Sequence, residues 1–196
     1  MKNSSALPPK KHIITIAGRP GSGKSTTAKL LANELDFDHF SSGDLFRALG
    51  RERGVDVLEA NKKAGVVEEL DRLVDSKLQE IGRDDDNLVI DSRTAWHWIP
   101  DSFKIFLDLD METAARRILA EISEERMITE NIVSHPGEYA KLLQHRLDIE
   151  AERYKALYNI NPYDLANYDL VVNTAENNIE EVVKLVSQKF RAWLNS

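Results

Sequence analysis

Residues Gly18-Arg19-Pro20-Gly21-Ser22-Gly23-Lys24-Ser25 fit the pattern G-x-x-x-x-G-K-[ST], and their surroundings are those a phosphate-binding loop requires. The apolar run His12-Ile13-Ile14-Thr15-Ile16-Ala17 before them reads as a buried strand. The stretch after them, Thr26 to Leu35, reads as a helix. Each residue type has a purpose in that setting. Glycines let backbone N–H groups curl around a phosphate, and the helix N-terminus adds the positive end of its dipole. Lys24 is long enough to reach β- and γ-oxygens, and the Ser25 hydroxyl suits Mg²⁺. The nine residues Gly18 to Thr26 are therefore expected to bind ATP.

Composition narrows the field. A chain of 196 residues can bury a full core, and one domain over 12–196 is expected. A net charge of −7 argues against nucleic acid or a membrane surface as the main partner. No stretch approaches 18 apolar residues, so no spanning helix is expected. Residues 1–11 carry lysines but no apolar core segment, and read as a disordered leader and not a signal peptide. The chain has no cysteine, which excludes disulfides and thiolate metal sites. A soluble, cytoplasmic protein is expected. No second apolar stripe stands out, which points to a monomer.

Candidate strands lie at 13–17, 37–40, 88–91, 103–109 and 170–173, separated by helical stretches. That alternation predicts a parallel sheet of βαβ units. Two connections are too long for simple crossovers. Residues 42–83 hold helical pieces at 57–64 and 68–81 and read as a small helical insertion. Residues 111–168 hold a polar, turn-prone centre at 123–137, with the character of a lid, and then a long helix over about 138–157. The last helix, 179–194, carries Ile179, Val182, Val183, Val186, Phe190 and Trp193 at one-faced spacing. Two insertions on a P-loop core is the plan of a kinase that encloses a second small substrate and shuts out water.

Two arginines follow strand ends, where open α/β sheets bind ligands. They are Arg47, in Ser42-Gly43-Asp44-Leu45-Phe46-Arg47, and Arg93, in Asp91-Ser92-Arg93. A guanidinium grips phosphate bidentately. The first segment is similar to the S-[TA]-G-D-[ML]-x-R of nucleoside monophosphate kinases, and the second to their third-strand motif. Within that superfamily the chain most resembles the archaeal-type cytidylate kinases. The counterparts extend through Thr94-Ala95-Trp96 to Arg153-Tyr154-Lys155-Ala156-Leu157-Tyr158-Asn159-Ile160 and on to Tyr168–Thr174. Ser92 stands where that family has a glycine, and the lid region is longer than its usual short lid.

The resemblance implies an α/β fold of the three-layer P-loop NTPase type with a five-stranded parallel sheet. It adds a monophosphate-binding insertion at about 42–83 and a lid at about 121–142. It implies that Asp44, Arg47 and Arg93 bind the acceptor. Ser25 would ligate Mg²⁺ and Asp91 would orient the ion through water. ATP and CMP, with dCMP beside it, become the expected substrates. Arg146 and Arg153, seven residues apart on one helical face, match a lid-proximal arginine pair of bacterial cytidylate kinases and are expected at the transferring phosphoryl group with Lys24 and Arg93. Arg116 and Arg117 resemble the R-R-[IL] of adenylate-kinase-like lids, with Arg117 expected to clamp ATP.

Other residues receive plainer readings. Asp110 is expected to cap the helix that follows it. Trp96 either stacks on a base or fills the core. Asp71 and Asp75, at i and i+4, read as a solvated helix face, although a carboxylate there could accept from a cytosine amino group. Rival functions are an adenylate kinase, a kinase of a small alcohol with Asp44 or Asp91 as base, and a nucleotide-dependent regulatory protein. Against a GTPase switch, Asn61-Lys62-Lys63-Ala64 lacks the aspartate of N-K-x-D.

Overall fold

Successive residues of β1 (Ile13–Gly18) face opposite sides of the sheet, so one strand seeds two cores. The computed structural model describes residues 10–54, 64–123 and 132–196. Ile14 and Ile16 pack under α1 (Lys24–Leu35) and the C-terminal helix α7 (Ile179–Leu194), with Leu31, Val182, Val186 and Phe190. Ile13 packs on the other face against α3 (Ala64–Asp84) and the short α4 (Ala95–Trp98), with Val74, Leu78, Ile81 and Ile99. Every residue of β1 is buried, as a parallel strand covered on both faces must be.

The sheet adds β2 (Asp38–Ser41), β3 (Leu88–Asp91), β4 (Phe103–Asp108) and β5 (Leu170–Asn173), all parallel, in the order β2-β3-β1-β4-β5. This is the expected three-layer α/β architecture. Register brings the strand ends together: Asp91 pairs with both Ile16 and Ser41, and Gly18 pairs with Leu107. The chain leaves β1 for one side of the sheet and later crosses to the other, so β1 ends at a switch point where ligands bind. Helices α5 (Met111–Glu121) and α6 (Pro136–Tyr158) form a third small core from Leu109, Ala114, Ala115 and Leu143.

Some boundaries differ from expectation. Strand β2 runs one residue later, because Phe37 turns inward to pack edge-on against Phe190 at 5.9 Å. Ser42 to Arg47, given no helix or strand from the sequence, opens α2 (Ser42–Glu52), whose N-cap Ser41 accepts from the Asp44 amide at 3.2 Å. Helix α6 begins at Pro136, inside the range expected for the lid. Residues 1–9, 55–63 and 124–131 lie outside the described residues, and with them most of the expected leader, the helix at 57–64 and the lid centre. Lys10 and Lys11, assigned to the leader, are tied down: their ammonium groups donate to Trp193 and Gly82 carbonyls, each at 2.5 Å. Among the described residues no helix is long and apolar enough to cross a membrane.

Candidate active site

The loop Gly18 to Ser25 closes tightly on β4. A Cβ at Gly18 would sit 2.7 Å from the Leu107 carbonyl oxygen, so only glycine admits this approach, and the Arg19 amide donates to that oxygen at 3.1 Å. Gly23 takes φ +76 to launch α1 and gives it no side-chain cap. The first-turn amides of α1 thus keep their donors for an anion. Arg19 turns aside, its Nε donating to Asp108 Oδ1 at 2.7 Å. Pro20, Gly21 and Ser22 complete the curl, and Thr26 stands exposed in the first turn of α1.

Asp91 ties this loop to the neighbouring strand. Its carboxylate is 2 % exposed; one oxygen contacts the Lys24 ammonium and the other accepts from the Ser25 hydroxyl at 2.5 Å. Burial, then the nearby guanidiniums of Arg93 and Arg47, push the Lys24 pKa down to about 7, and Asp91 is its contact counter-charge. Ser25 and Asp91 thereby present a hydroxyl and a carboxylate side by side, a hard oxygen pair of the kind that fits Mg²⁺. Among the described residues no group of three or more His, Asp or Glu forms a denser metal cage. Arg117 sits against the same loop, donating to Gly21 O at 3.4 Å and to Thr174 O at 2.8 Å.

Beyond Asp91 opens a cavity of about 740 Å³ between α2, α3, the turn after β3 and α6. Arg47, Arg93, Arg146 and Arg153 all line it, so the structure gathers the four arginines from three separate stretches of sequence: α2, the turn after β3, and α6. Arg47 is held by Asp44 at 2.6 Å, which places Asp44 as an arginine partner. Arg93 pairs with Glu150 at 3.2 Å. Arg153 lies 3.3 Å from Asp71 and 3.9 Å from Glu150. Arg146 is exposed and has no ion pair among the described residues. The two arginines of α6 therefore share a cavity but not an environment.

Glu150 is the group that sequence reasoning undervalued. At i+4 from Arg146 it has the spacing of an ordinary surface ion-pair partner. It is 9 % exposed, serves Arg93 and Arg153 through Oε1, and accepts from the Tyr163 hydroxyl at 2.5 Å through Oε2. Asp71 and Asp75 overturn the solvated-face reading outright. They are 6 % and 4 % exposed and line the cavity, on the side of α3 that faces Arg153 of α6 and the side chains of Thr94 and Trp98. The signal was available: Asp71 lies at i+4 from Val67 and i−3 from Val74, inside the apolar stripe. Asp75 accepts from Thr94 Oγ1 at 3.0 Å and from Trp98 Nε1 at 2.8 Å, anchoring α3 to the turn that carries Arg93.

The remaining candidates resolve simply. Trp96 donates to the Arg93 carbonyl at 2.9 Å and packs on Tyr168 at 5.7 Å, half-buried and not among the residues that line the cavity. Arg116 makes an i,i+4 pair with Glu112 at 2.7 Å. Asp110 caps α5 by accepting from Thr113 N. Ser92 is buried, and its Oγ accepts from the Thr94 amide at 3.2 Å, which gives its side chain a place where the family resemblance led us to expect glycine. Neither carboxylate considered as a base for an alcohol acceptor is free: Asp91 engages Lys24 and Ser25, and Asp44 engages Arg47.

Burial makes Asp71 a pH-dependent liability. Its pKa rises from 3.8 to about 6, chiefly through burial, with Arg153 opposing and Asp75 adding to the rise. A raised carboxyl pKa contributes stability below its unfolded value that is lost as pH rises through its folded value. A rise from 3.8 to about 6 amounts to about 3 kcal/mol at 1.36 kcal/mol per pH unit. Asp71→Asn should therefore match the wild type in ligand-free stability near pH 4 and exceed it at pH 7.5. Urea unfolding at the two pH values tests this. A variant less stable at pH 7.5 would mean that the attraction of Arg153 outweighs burial.

The family model for an AAA domain matches residues 14–136. The cytidylate kinase of Haloarcula marismortui is 41% identical over 167 residues, covering 83% of this chain and 81% of that protein. The chain belongs to the cytidylate kinase family. A more distant family member, the cytidylate kinase of Methanocaldococcus jannaschii, is 33% identical over 180 residues, covering 89% of this chain and 95% of that one. The fold reaches further: shikimate kinase from Acinetobacter baumannii aligns with a TM-score of 0.60 at 13% identity, over 94% of this chain and 95% of that chain. Membership of a cytidylate kinase family and a shared P-loop kinase fold agree with the architecture built above.

Proposed function

We propose that this protein transfers the γ-phosphoryl group of ATP to CMP, and to dCMP, yielding the corresponding diphosphates. The observation that carries the reading is the arginine-lined cavity that begins at Arg93, two residues from the carboxylate that touches Lys24. A phosphate held by Arg47 and Arg93 would present an oxygen towards the P-loop. The names of its relatives supply the base.

The chemistry needs little beyond position and charge. The P-loop amides and Lys24 hold the β- and γ-phosphates of ATP. Ser25 and Asp91 would hold Mg²⁺, which would supply positive charge to offset that of the phosphate oxygens. Arg47 and Arg93 hold the acceptor phosphate, with Asp44 and Glu150 fixing their guanidiniums. An ionised acceptor oxygen attacks the γ-phosphorus, the bond to the β–γ bridging oxygen breaks, and ADP leaves with that electron pair. No general base is required, because the nucleophile is already an anion. Arg146, with no ion pair among the described residues, supplies positive charge to the phosphoryl group in transit, and Arg117 braces the ATP side. Arg153, gripped by two carboxylates, orders the acceptor side of the cavity.

Phosphorylation assays with ATP and Mg²⁺ over CMP, dCMP, UMP, AMP and GMP test the reading. CMP and dCMP should show the highest kcat/KM; preference for AMP or GMP would overturn it. The acceptor assignment has its own test. Arg47→Ala and Arg93→Ala should each raise KM for CMP about 10- to 100-fold, the equivalent of one charge-assisted hydrogen bond. KM for ATP should stay within about threefold. Loss of ATP binding instead would mean that the two ends of the site are assigned backwards.

A further inference from the structure

Arg93 Nε, Arg153 Nε and Asp71 Oδ2 are buried polar atoms that line one cavity without a well-aligned hydrogen bond. Native proteins seldom tolerate such groups unless a ligand completes them. Arg93 belongs to the phosphate end, beside the β3 turn. The other two face each other across the cavity, Asp71 from α3 and Arg153 from α6, 3.3 Å apart.

The carboxylates of this cavity are not equivalent. Glu150 uses both oxygens, on the two arginines and on Tyr163. Asp75 gives Oδ1 to Thr94 and Trp98, while its Oδ2 is buried without a hydrogen bond, and Tyr158 is a near neighbour of the carboxylate. Among the described residues Asp71 is the one of these three that accepts no hydrogen bond, and its partner there is the ion pair with Arg153. Beside it, Val74 and Tyr154 are buried apolar walls suited to a flat ring. An acceptor and a donor placed side by side above apolar walls form a template for a planar heterocycle.

We infer that Asp71 reads the exocyclic amino group of the acceptor's base, with Arg153 donating to the ring acceptor beside it. This rests on the nucleotide-kinase reading above and names the residue that sets its base preference. An ionised carboxylate is acceptor-only, so it complements the N4 amino group of cytosine and repels the O4 carbonyl of uracil. The Arg153 guanidinium is donor-only and complements cytosine N3 or O2, whereas it opposes the N3–H of uracil. The pair therefore selects amino-bearing over keto-bearing pyrimidines.

Protonation should relax that choice, because a protonated Asp71 can donate to a carbonyl. The charged and titratable groups facing Asp71 are Asp75 on its own helix, Arg153, Glu150, Tyr154 and Tyr158 on α6, and Arg93 after β3. The ratio of kcat/KM for CMP to that for UMP isolates Asp71, since titrations that affect both substrates alike cancel.

The test measures that ratio in the wild type and in Asp71→Asn at pH 7.5, with circular dichroism to confirm folding. The wild type should favour CMP by at least about 50-fold, and the variant, whose amide can both donate and accept, should narrow this to within about fivefold. A merely structural Asp71 would lower both rates and leave the ratio intact, which overturns the inference. Should the variant fail to fold, the wild-type ratio between pH 7.5 and 5.5 decides: a fall supports the assignment and a constant ratio refutes it. A wild type that phosphorylates CMP and UMP equally well at pH 7.5 removes the inference but leaves the kinase reading standing. A wild type with no CMP turnover removes the reading beneath it.

Discussion

In Lys24→Met, phosphoryl transfer should fall about a thousandfold or more while the protein stays folded. The lysine ammonium is the mobile charge of the P-loop, and losing a donor aimed at developing charge costs this much or more where it acts in the transition state. Its pKa near 7 in the ligand-free protein supports a role towards ligand. Burial and the two arginines make Lys24 an unwilling cation there, and the phosphates of ATP would restore its charge. The substitution has a structural cost as well. Asp91 loses its contact counter-charge and keeps only the Ser25 hydroxyl, so ligand-free stability should drop by on the order of 1–3 kcal/mol. Turnover near wild type in a folded Lys24→Met would remove Gly18 to Ser25 from the active site. Circular dichroism and steady-state kinetics on one preparation separate the two effects.

Arg146→Ala should lower kcat by about a thousandfold with a modest change in either KM, since an arginine that acts only on the phosphoryl group in transit contributes nothing to ground-state binding. Arg153→Ala should behave differently, although the two residues sit on one helical face. Arg153 is bound to Asp71 and Glu150, so its loss leaves two buried carboxylates short of charge and should raise KM for CMP more than it lowers kcat. Lysine at 153 keeps the charge without the planar fork and should rescue only in part. The expectation from spacing alone was a cooperating pair. If kcat collapses equally in both variants and KM does not move, the two arginines act together and their separate surroundings are incidental. If kcat in Arg146→Ala stays within about threefold of wild type, that residue is a bystander.

The P-loop, its strand and the parallel sheet were legible in the sequence because each depends on local constraints. Gly18 stands where a Cβ would collide with the Leu107 carbonyl, Gly23 stands at a positive φ that favours glycine, and Lys24 and Ser25 follow at fixed offsets. Runs such as Ile13-Ile14-Thr15-Ile16 need no partner to declare themselves buried on both faces. Arg47 and Arg93 could be chosen because the end of a strand is itself a position in the fold. Helix α2 was missed although its signal was local: Ser41 caps Asp44, and Leu45, Phe46 and Leu49 follow on one face. There the resemblance of Ser42 to Arg47 to a binding motif drew attention to chemistry and away from helix periodicity.

What only the tertiary structure decided is which charges face water. Asp71 already lay within an apolar stripe, but its partners did not show in sequence, and for Glu150 a helix wheel cannot tell a solvated position from one that faces another helix. The folded chain buries Asp71, Asp75 and Glu150, gives Glu150 two arginines and a tyrosine, and leaves Asp71 with one ion pair among the described residues. The same packing separates Arg146 from Arg153, which spacing had made equivalent. A phosphate grip can be written into a few consecutive residues because the backbone does much of the binding. Reading a base requires donors and acceptors from distant segments at fixed separations, and chain folding alone sets those separations.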